Sequence, residues 1–376
     1  MAKGIHLTLM IGPAVPIPVS QEVLDALTSV KVVTTSGETA SGFELAFTLS
    51  NRSALHTIFL LAGGASLPLI RVVIVVTVNG MSEVLVDGVM TDHDVSPGSD
   101  ASHSTLTIKG KDLTAVMDYI DFSGFLFPAM PPELRVLVML AKYAFLGIVP
   151  MVIPSVLIDI PIPVDRIPVQ RGTDLSYIKH LADQVGYVFY IDPGPQPGMN
   201  RAYWGPELKI GVPQPALNIN MDAHTNVESL SFNFSGESKA LPIVLIQNQE
   251  TKVPIPIPIP DITPLNPPLG LIPPLPKQFR IIDETAKYSP VRGLLIGLAK
   301  AAQTADVVTA SGSLDVLRYG RILKARQLVG VRGAGMAFEG LYYVKSVTHN
   351  LKRGEYKQNF TLARNGLVST LSRVPA

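Results

Sequence analysis

Apolar and polar residues alternate with a period of two through much of the first 112 positions, the pattern of half-buried strands. Gly42–Leu49 (GFELAFTL) puts Phe43, Leu45, Phe47 and Leu49 on one side, with Glu44 and Thr48 opposite. Residues 5–12 and 31–35 read as further strands, with one or two helical turns over 21–27 between them. Residues 70–78 (IRVVIVVTV) form a nearly unbroken β-branched run, which predicts a strand covered on both faces. That run meets Asn79-Gly80, a strong hairpin signal, and leads into a strand over 83–90. Strands this close together, with little helix between them, predict an antiparallel barrel or sandwich.

A second hairpin dominates the C-terminal end. In residues 339–367, Tyr342, Val344 and Val347 precede a turn built from Lys352-Arg353-Gly354-Glu355. Beyond it, Tyr356, Phe360 and Leu362 share a face with Gln358. The same plan occurs at 87–113: an acidic-Gly pair (Asp87-Gly88, Glu339-Gly340), a β-rich run, a polar turn, a second strand and a basic close. The chain is therefore expected to carry two copies of one β module.

Between the copies the pattern changes. Residues 113–120 and 132–146 have helical spacing. Residues 173–182 form a capped helix, with Thr173 or Asp174 at its N-cap and apolar residues at 175, 178, 181 and 182. Gly186 ends that helix and 187–191 (YVFYI) is a strand, so 113–205 reads as a small α/β domain. Residues 226–234 return to alternation and are expected to rejoin the first barrel. Residues 253–276 are dense in proline, which forbids helix and any central strand and predicts extended polyproline II. Because the intervening residues are mainly Ile, Leu and Val, this ribbon is expected to lie on its own or a neighbouring subunit. After it come a helix over 291–302 and strands over 307–319 and 326–332.

The predicted class is mainly β (α+β): two similar antiparallel β-barrel modules, an inserted α/β domain and a Pro-rich extended segment. The expected boundaries are a first barrel at 1–112, completed by about 206–245, and an α/β insertion at 113–205. A Pro-rich segment at 246–280 and a second barrel module at 281–376 follow.

Composition narrows the function. Only 16% of the 376 residues are charged while 47% are apolar, so much surface must be buried, in part against partners. A formal net charge of +1 argues against a nucleic-acid face, and the lack of cysteine excludes disulfides and thiolate chemistry. Prolines 13, 16 and 18 break the apolar start, which reads as a strand and not a signal peptide. Residues 143–158 are uncharged but short and carry Pro150 and Pro154, so they are expected to be buried or to face a subunit rather than insert stably in a membrane.

The search for chemistry returns no catalytic, cofactor-binding or metal residues. Asp92, His93, Asp94 and His103 cluster in sequence, but within a Ser/Gly-rich turn region. Residues 330–335 (GVRGAG) lack the full dinucleotide fingerprint and its βαβ context, and read as a bulge or tight turn. Trp204, the one tryptophan, reads as a core or interface aromatic. A cell-wall hydrolase or carbohydrate-binding protein is the alternative function, since paired carboxylates are assembled in space and leave no local motif.

One set of short motifs, taken in order, resembles a known family. It comprises Gly42-Phe43-Glu44-Leu45, Val78-Asn79-Gly80, Val86-Asp87-Gly88-Val89, residues 106–113 (LTIKGKDL), Tyr203-Trp204-Gly205-Pro206, and Tyr342-Tyr343-Val344 through Phe360-Thr361-Leu362. It is similar to the tail hub proteins of contractile injection systems, the phage late control D group related to the hub half of VgrG. The resemblance covers nearly the whole chain and rests on order and spacing. It implies a non-enzymatic homotrimer in which two barrels per subunit give six quasi-equivalent barrels. These would join a trimeric spike to the hexameric inner tube or tube initiator, beside other baseplate proteins. It implies no nucleic acid, no cofactor, and assembly in the bacterial cytoplasm into a phage tail-like particle or virion baseplate. The chain ends soon after the second module, so the spike is expected as a separate chain, and the Pro-rich ribbon departs from the family pattern.

Overall fold

The computed structural model describes residues 4–49 except 14 and 38, 69–97, 104–155, 167–236, 239–247, 253–259, 267–282, parts of 293–301, 305–371 and 374. The first β module contains β1 (Ile5–Gly12), β2 (Ile17–Pro18), a short helix α1 (Gln21–Ala26), β3 (Leu27–Thr35), β4 (Gly42–Leu49), β5 (Arg71–Val78), β6 (Met81–Ser96) and β7 (Ser104–Asp112). The sequence pattern places these strands well. Phe43, Leu45, Phe47 and Leu49 are all buried, and Val72, Val73 and Ile74 are closed off on both faces of β5. Asn79 and Gly80 both have positive φ, as a two-residue hairpin turn of this hand requires.

The α/β insertion follows, with a 3₁₀ turn at Leu113–Asp118, α2 (Pro132–Ala141), β8 (Ile148–Val152), α3 (Asp174–Val185), β9 (Tyr187–Pro193) and β10 (Asn200–Pro206). Thr173 caps α3 through its hydroxyl, which accepts the Ser176 N–H, and Gly186 ends it in the left-handed conformation. The helix expected to reach residue 146 stops at Ala141; a short 3₁₀ turn and Gly147 with φ +74 follow. A Cβ at Gly147 would lie 1.9 Å from the Gly198 carbonyl, so only glycine fits there. The apolar stretch expected over 143–158 forms edge strand β8 in its described part, with Phe145 and Val149 exposed. Residues 156–158 lie outside the described residues. None of the described helices is long and apolar enough to cross a membrane.

The remaining strands are β11 (Gln214–Asn218), β12 (Ser229–Phe234), β13 (Ala240–Gln247), β14 (Pro254–Pro258), β15 (Gly270–Ile272), β16 (Gln278–Ile282), β17 (Val308–Asp315), β18 (Leu328–Arg332), β19 (Gly340–Lys352), β20 (Glu355–Arg364) and β21 (Leu367–Ser369), with a helical turn α4 (Val316–Tyr319) after β17. The expectation that 206–245 completes the first barrel is corrected here. β11 pairs with β18, and β12 pairs with β17, so both strands belong to the second module. Serine pairs line this ladder: Ser229 meets Ser313 at 2.8 Å and Ser231 meets Ser311 at 3.0 Å across β12–β17. Asn226 then closes the module, its side chain accepting the Asn218 N–H and donating to the Ala216 carbonyl.

The two β modules share one strand order. The first reads β1-β5-β6-β7-β4-β3 and the second β11-β18-β19-β20-β17-β12, with the corresponding strands in the same chain order. They differ where β1 runs antiparallel to β5 but β11 runs parallel to β18. Pairing of β3 with β19 fuses the modules into one 13-stranded sheet over a shared apolar core.

The proline ribbon is partly a strand, which corrects the polyproline expectation. Pro254–Pro258 pairs antiparallel with β13, at the edge of a three-stranded sheet whose other edge is β16. Prolines 254, 256 and 258 alternate with Ile255 and Ile257, so the ladder runs through the isoleucine N–H groups, and Ile259 continues it by donating to the Pro242 carbonyl at 3.0 Å. The outward edge of β14 then carries no N–H donor at those prolines, which blocks further strand addition. Ile257 and Ile259 pack with Val244 on Leu294, Leu298 and Ala301, in the helical residues of 293–301.

A buried histidine yields a pH prediction. His349 is 4% exposed, its Nδ1 lies 2.7 Å from the Tyr356 hydroxyl, and burial pushes its pKa down to about 3. The unfolded chain therefore binds a proton below about pH 6.5 that the folded chain refuses until about pH 3. This contribution to stability is fully present above pH 6.5 and is lost as pH falls towards 3, at about 1.4 kcal/mol per pH unit. Urea midpoints of the wild type and His349→Gln, measured at pH 7 and pH 5, are expected to converge at the lower pH. Parallel losses in the two proteins would count against it.

Candidate functional site

A set of polar contacts sits where the α/β insertion meets both β modules. At its centre is Arg326, just before β18, held at φ +65 by backbone hydrogen bonds with β19: its N–H donates to the Val344 carbonyl, and Val344 donates to Gln327. The guanidinium reaches both the first module and the insertion. Nε donates to the Thr35 carbonyl of the first module at 2.7 Å, and a second nitrogen lies 3.4 Å from the Ser41 hydroxyl. The remaining nitrogen pairs with Asp192 of the insertion, and the cation lies 3.9 Å from the centre of the Tyr190 ring. The planar five-donor fork suits this bridging role, because its acceptors lie in different directions.

A charge quartet lies beside it. Lys209 donates to Asp306 at 2.7 Å, and Lys345 contacts Glu207 at 3.0 Å and Asp306 at 3.4 Å. Lys345 sits at the irregularity in β19, between Val344 and Ser346, where the ladder to β20 shifts register. Burial pushes the Asp306 carboxyl up, but Lys209 and Lys345 outweigh it and hold the group below its ordinary value. The quartet ties the exit from the insertion to the entry of the second module.

A third link fastens the insertion to the first module. Arg71 in β5 forms a bidentate pair with Asp87 in β6, both bonds 2.7 Å, with side chains 4% and 1% exposed. Arg71 also donates to the Leu146 carbonyl at 2.8 Å, and Asn200 in β10 donates to Asp87 at 2.9 Å. Of these side chains, Arg326, Asp192 and Glu207 border a cleft of about 390 Å³, with Tyr190, Arg201 and Tyr343 also on its walls. Chemically the arrangement is a set of compensated ion pairs. Each of these charges has a partner on another element, so the pairs link the insertion to both β modules.

The motifs singled out in the sequence lie elsewhere. Asp92 and Asp94 fall on the exposed distal part of β6, and Asp94 pairs with Lys109 at 2.7 Å. His103 lies outside the described residues, among which no group of three or more His, Asp or Glu side chains is placed to hold a metal. Gly330 and Val331 lie in β18, and Gly333 turns at φ +79 where a Cβ would stand 1.8 Å from the Ile219 carbonyl. Trp204 is fully buried, its indole N–H aimed at the Ile178 carbonyl at 3.4 Å and its ring edge-on to Tyr187. The junction residues Arg71, Arg326, Lys209 and Asp306 were not found from sequence. The available signal was an arginine at the head of a β-branched run in a chain with few charges.

No family model matches the chain, and no curated protein matches it in sequence. Solved structures do match its fold over nearly its whole length. The tail protein from Neisseria meningitidis MC58 is 13% identical with a TM-score of 0.62, over 97% of this chain and 98% of that one. The 43 kDa tail protein of prophage MuSo2 from Shewanella oneidensis is 14% identical with a TM-score of 0.59, over 96% and 98%. A chain of the Francisella PdpA-VgrG complex is 9% identical with a TM-score of 0.62, over 100% of this chain and 60% of its own length. The fold is thus the β-rich fold of phage tail proteins and VgrG-type complexes, as the resemblance in sequence led one to expect.

Proposed function

We propose that this chain is the structural baseplate hub of a contractile tail or injection system: a homotrimer joining a trimeric spike to the hexameric inner tube. The observation that carries this reading is the repeated strand order. One polypeptide holds two modules with corresponding strands, so three copies offer six comparable positions to a six-fold partner. The likeness to phage tail proteins over almost the full chain supports the same role.

In this reading the modules span 1–112 and 281–376, the latter completed by β11 and β12, with the insertion at 113–205 and the Pro-rich segment at 246–280. The junction of ion pairs transmits force between modules during contraction, and no turnover is involved. Assembly takes place in the bacterial cytoplasm, before incorporation into a phage tail-like particle.

Light scattering coupled to size exclusion tests the count. The expected mass is three times 40.4 kDa, without detergent. A monomer, or an assembly not divisible into threes, overturns the proposal.

A further inference from the structure

Resting on the ring reading above, the structure assigns the contact between copies: we propose that the distal half of β6 pairs antiparallel with β12 of a second copy of this chain.

The inference starts from the junction already present within one chain. The second module's hairpin, β19–β20, shifts register between Val344 and Ser346, and past that shift the free side of β19 pairs with β3 of the first module. The first module's hairpin, β6–β7, shifts register at the equivalent place, between Met90 and Asp92. Past that shift β6 has β7 on one side only, because its pairing with β5 ends at Val89. At the other end of the sheet β12 has β17 on one side only. Among the described residues, then, each chain has one unpaired strand of the β19 kind and one unpaired strand of the β3 kind. A strand edge left open in this way is a template for another chain.

The register follows from the ladders. Crossing the first module, Gly110 faces Phe43 and Phe43 faces Val32. Crossing the second, Leu362 faces Ala310 and Ala310 faces Phe232. Gly110 and Leu362 are equivalent, because each pairs with the residue just before its register shift, so Phe232 stands where Val32 does. Val32 faces His349, three residues past Ser346, and the residue three past Asp92 is Val95. Val95 therefore faces Phe232, Asp94 faces Asn233 and His93 faces Phe234.

Side-chain chemistry agrees with this register. It gathers Val95, Phe232 and Phe234 on one face, as Val347, His349, Val30 and Val32 gather in the internal junction. It leaves Asp92, Asp94 and Asn233 on the solvent face. Val95 and Phe234 are 43% and 41% exposed in the single chain, and the pairing covers both. Three internal and three intermolecular junctions of one kind then close a six-module ring.

The native chain has no cysteine, so engineered pairs report cleanly. Facing residues of an antiparallel pair fall within the Cα range that a disulfide spans. Asp94→Cys and Asn233→Cys in one chain, oxidised, are expected to run as covalent trimer on a non-reducing gel and to revert on reduction. Single-site variants mixed together are expected to give covalent dimer. Asp94→Cys with Phe232→Cys, on opposite faces, is expected to give at least tenfold less. Val95→Cys with Phe232→Cys probes the same register if the first pair disturbs folding. A soluble trimer in which both facing pairs stay uncross-linked overturns the junction and leaves the ring standing. Equal cross-linking of the opposite-face pair overturns the register, and a persistent monomer overturns both proposals.

Discussion

Arg71→Leu is expected to destabilise the protein by about 3–5 kcal/mol, the usual cost of leaving a buried charge without its partner. Asp87 is 1% exposed on its side chain and takes two 2.7 Å bonds from Arg71. With the guanidinium gone, the carboxylate keeps, among the described residues, the amide of Asn200. It must then either stay charged in an apolar setting or take up a proton. The Leu146 carbonyl also loses its shorter donor and keeps the Asn200 amide at 3.4 Å, so the strand pair of the first module and the insertion loosen together. A urea titration gives the stability change. The double variant Arg71→Leu with Asp87→Leu is expected to recover most of it, because an apolar pair of similar volume removes both charges. A double variant as unstable as the single would show that packing of the arginine stem, and not its charge, carries the effect.

Arg326→Ala is expected to cost about 3 kcal/mol and to act on the seam between modules, leaving their interiors intact. Three acceptors from two modules lose one donor group, and Tyr190 loses the cation on its ring. Asp192 still has Arg201 at 3.2 Å, which keeps this cost below that at Arg71. Hydrogen exchange should quicken in β9 and β10 of the insertion while β5 and β20 stay protected. Arg326→Lys should not restore the protection, since an ammonium is a point charge and cannot reach acceptors that lie in different directions. Uniformly faster exchange across the chain would instead mean that Arg326 supports the whole fold.

Much of this fold was legible as pattern. Phe43, Leu45, Phe47 and Leu49 alternate because one face of β4 is covered, and the run in β5 lacks alternation because both faces are. The Lys352 to Glu355 turn and the Asn79-Gly80 turn could be read because their backbone needs positive φ. The match between 87–113 and 339–367 identified the two equivalent hairpins. Gln358 shows where pattern stops: it sits on the apolar face of β20, fully buried, and its amide pairs with both the N–H and the carbonyl of Leu323.

What the sequence determined by itself was every feature that depends on near neighbours: strand faces, caps, turns, the repeat, and the inability of alternate prolines to donate. Tertiary structure alone decided which strands meet. β12 could have joined either module by its own alternation, and it pairs with β17, where Ser231 meets Ser311 80 positions away. The ion pairs of Arg71, Arg326 and Lys209 belong to the same class. A buried charge is tolerated only opposite its partner, and that partner is chosen by folding across distances no local pattern records.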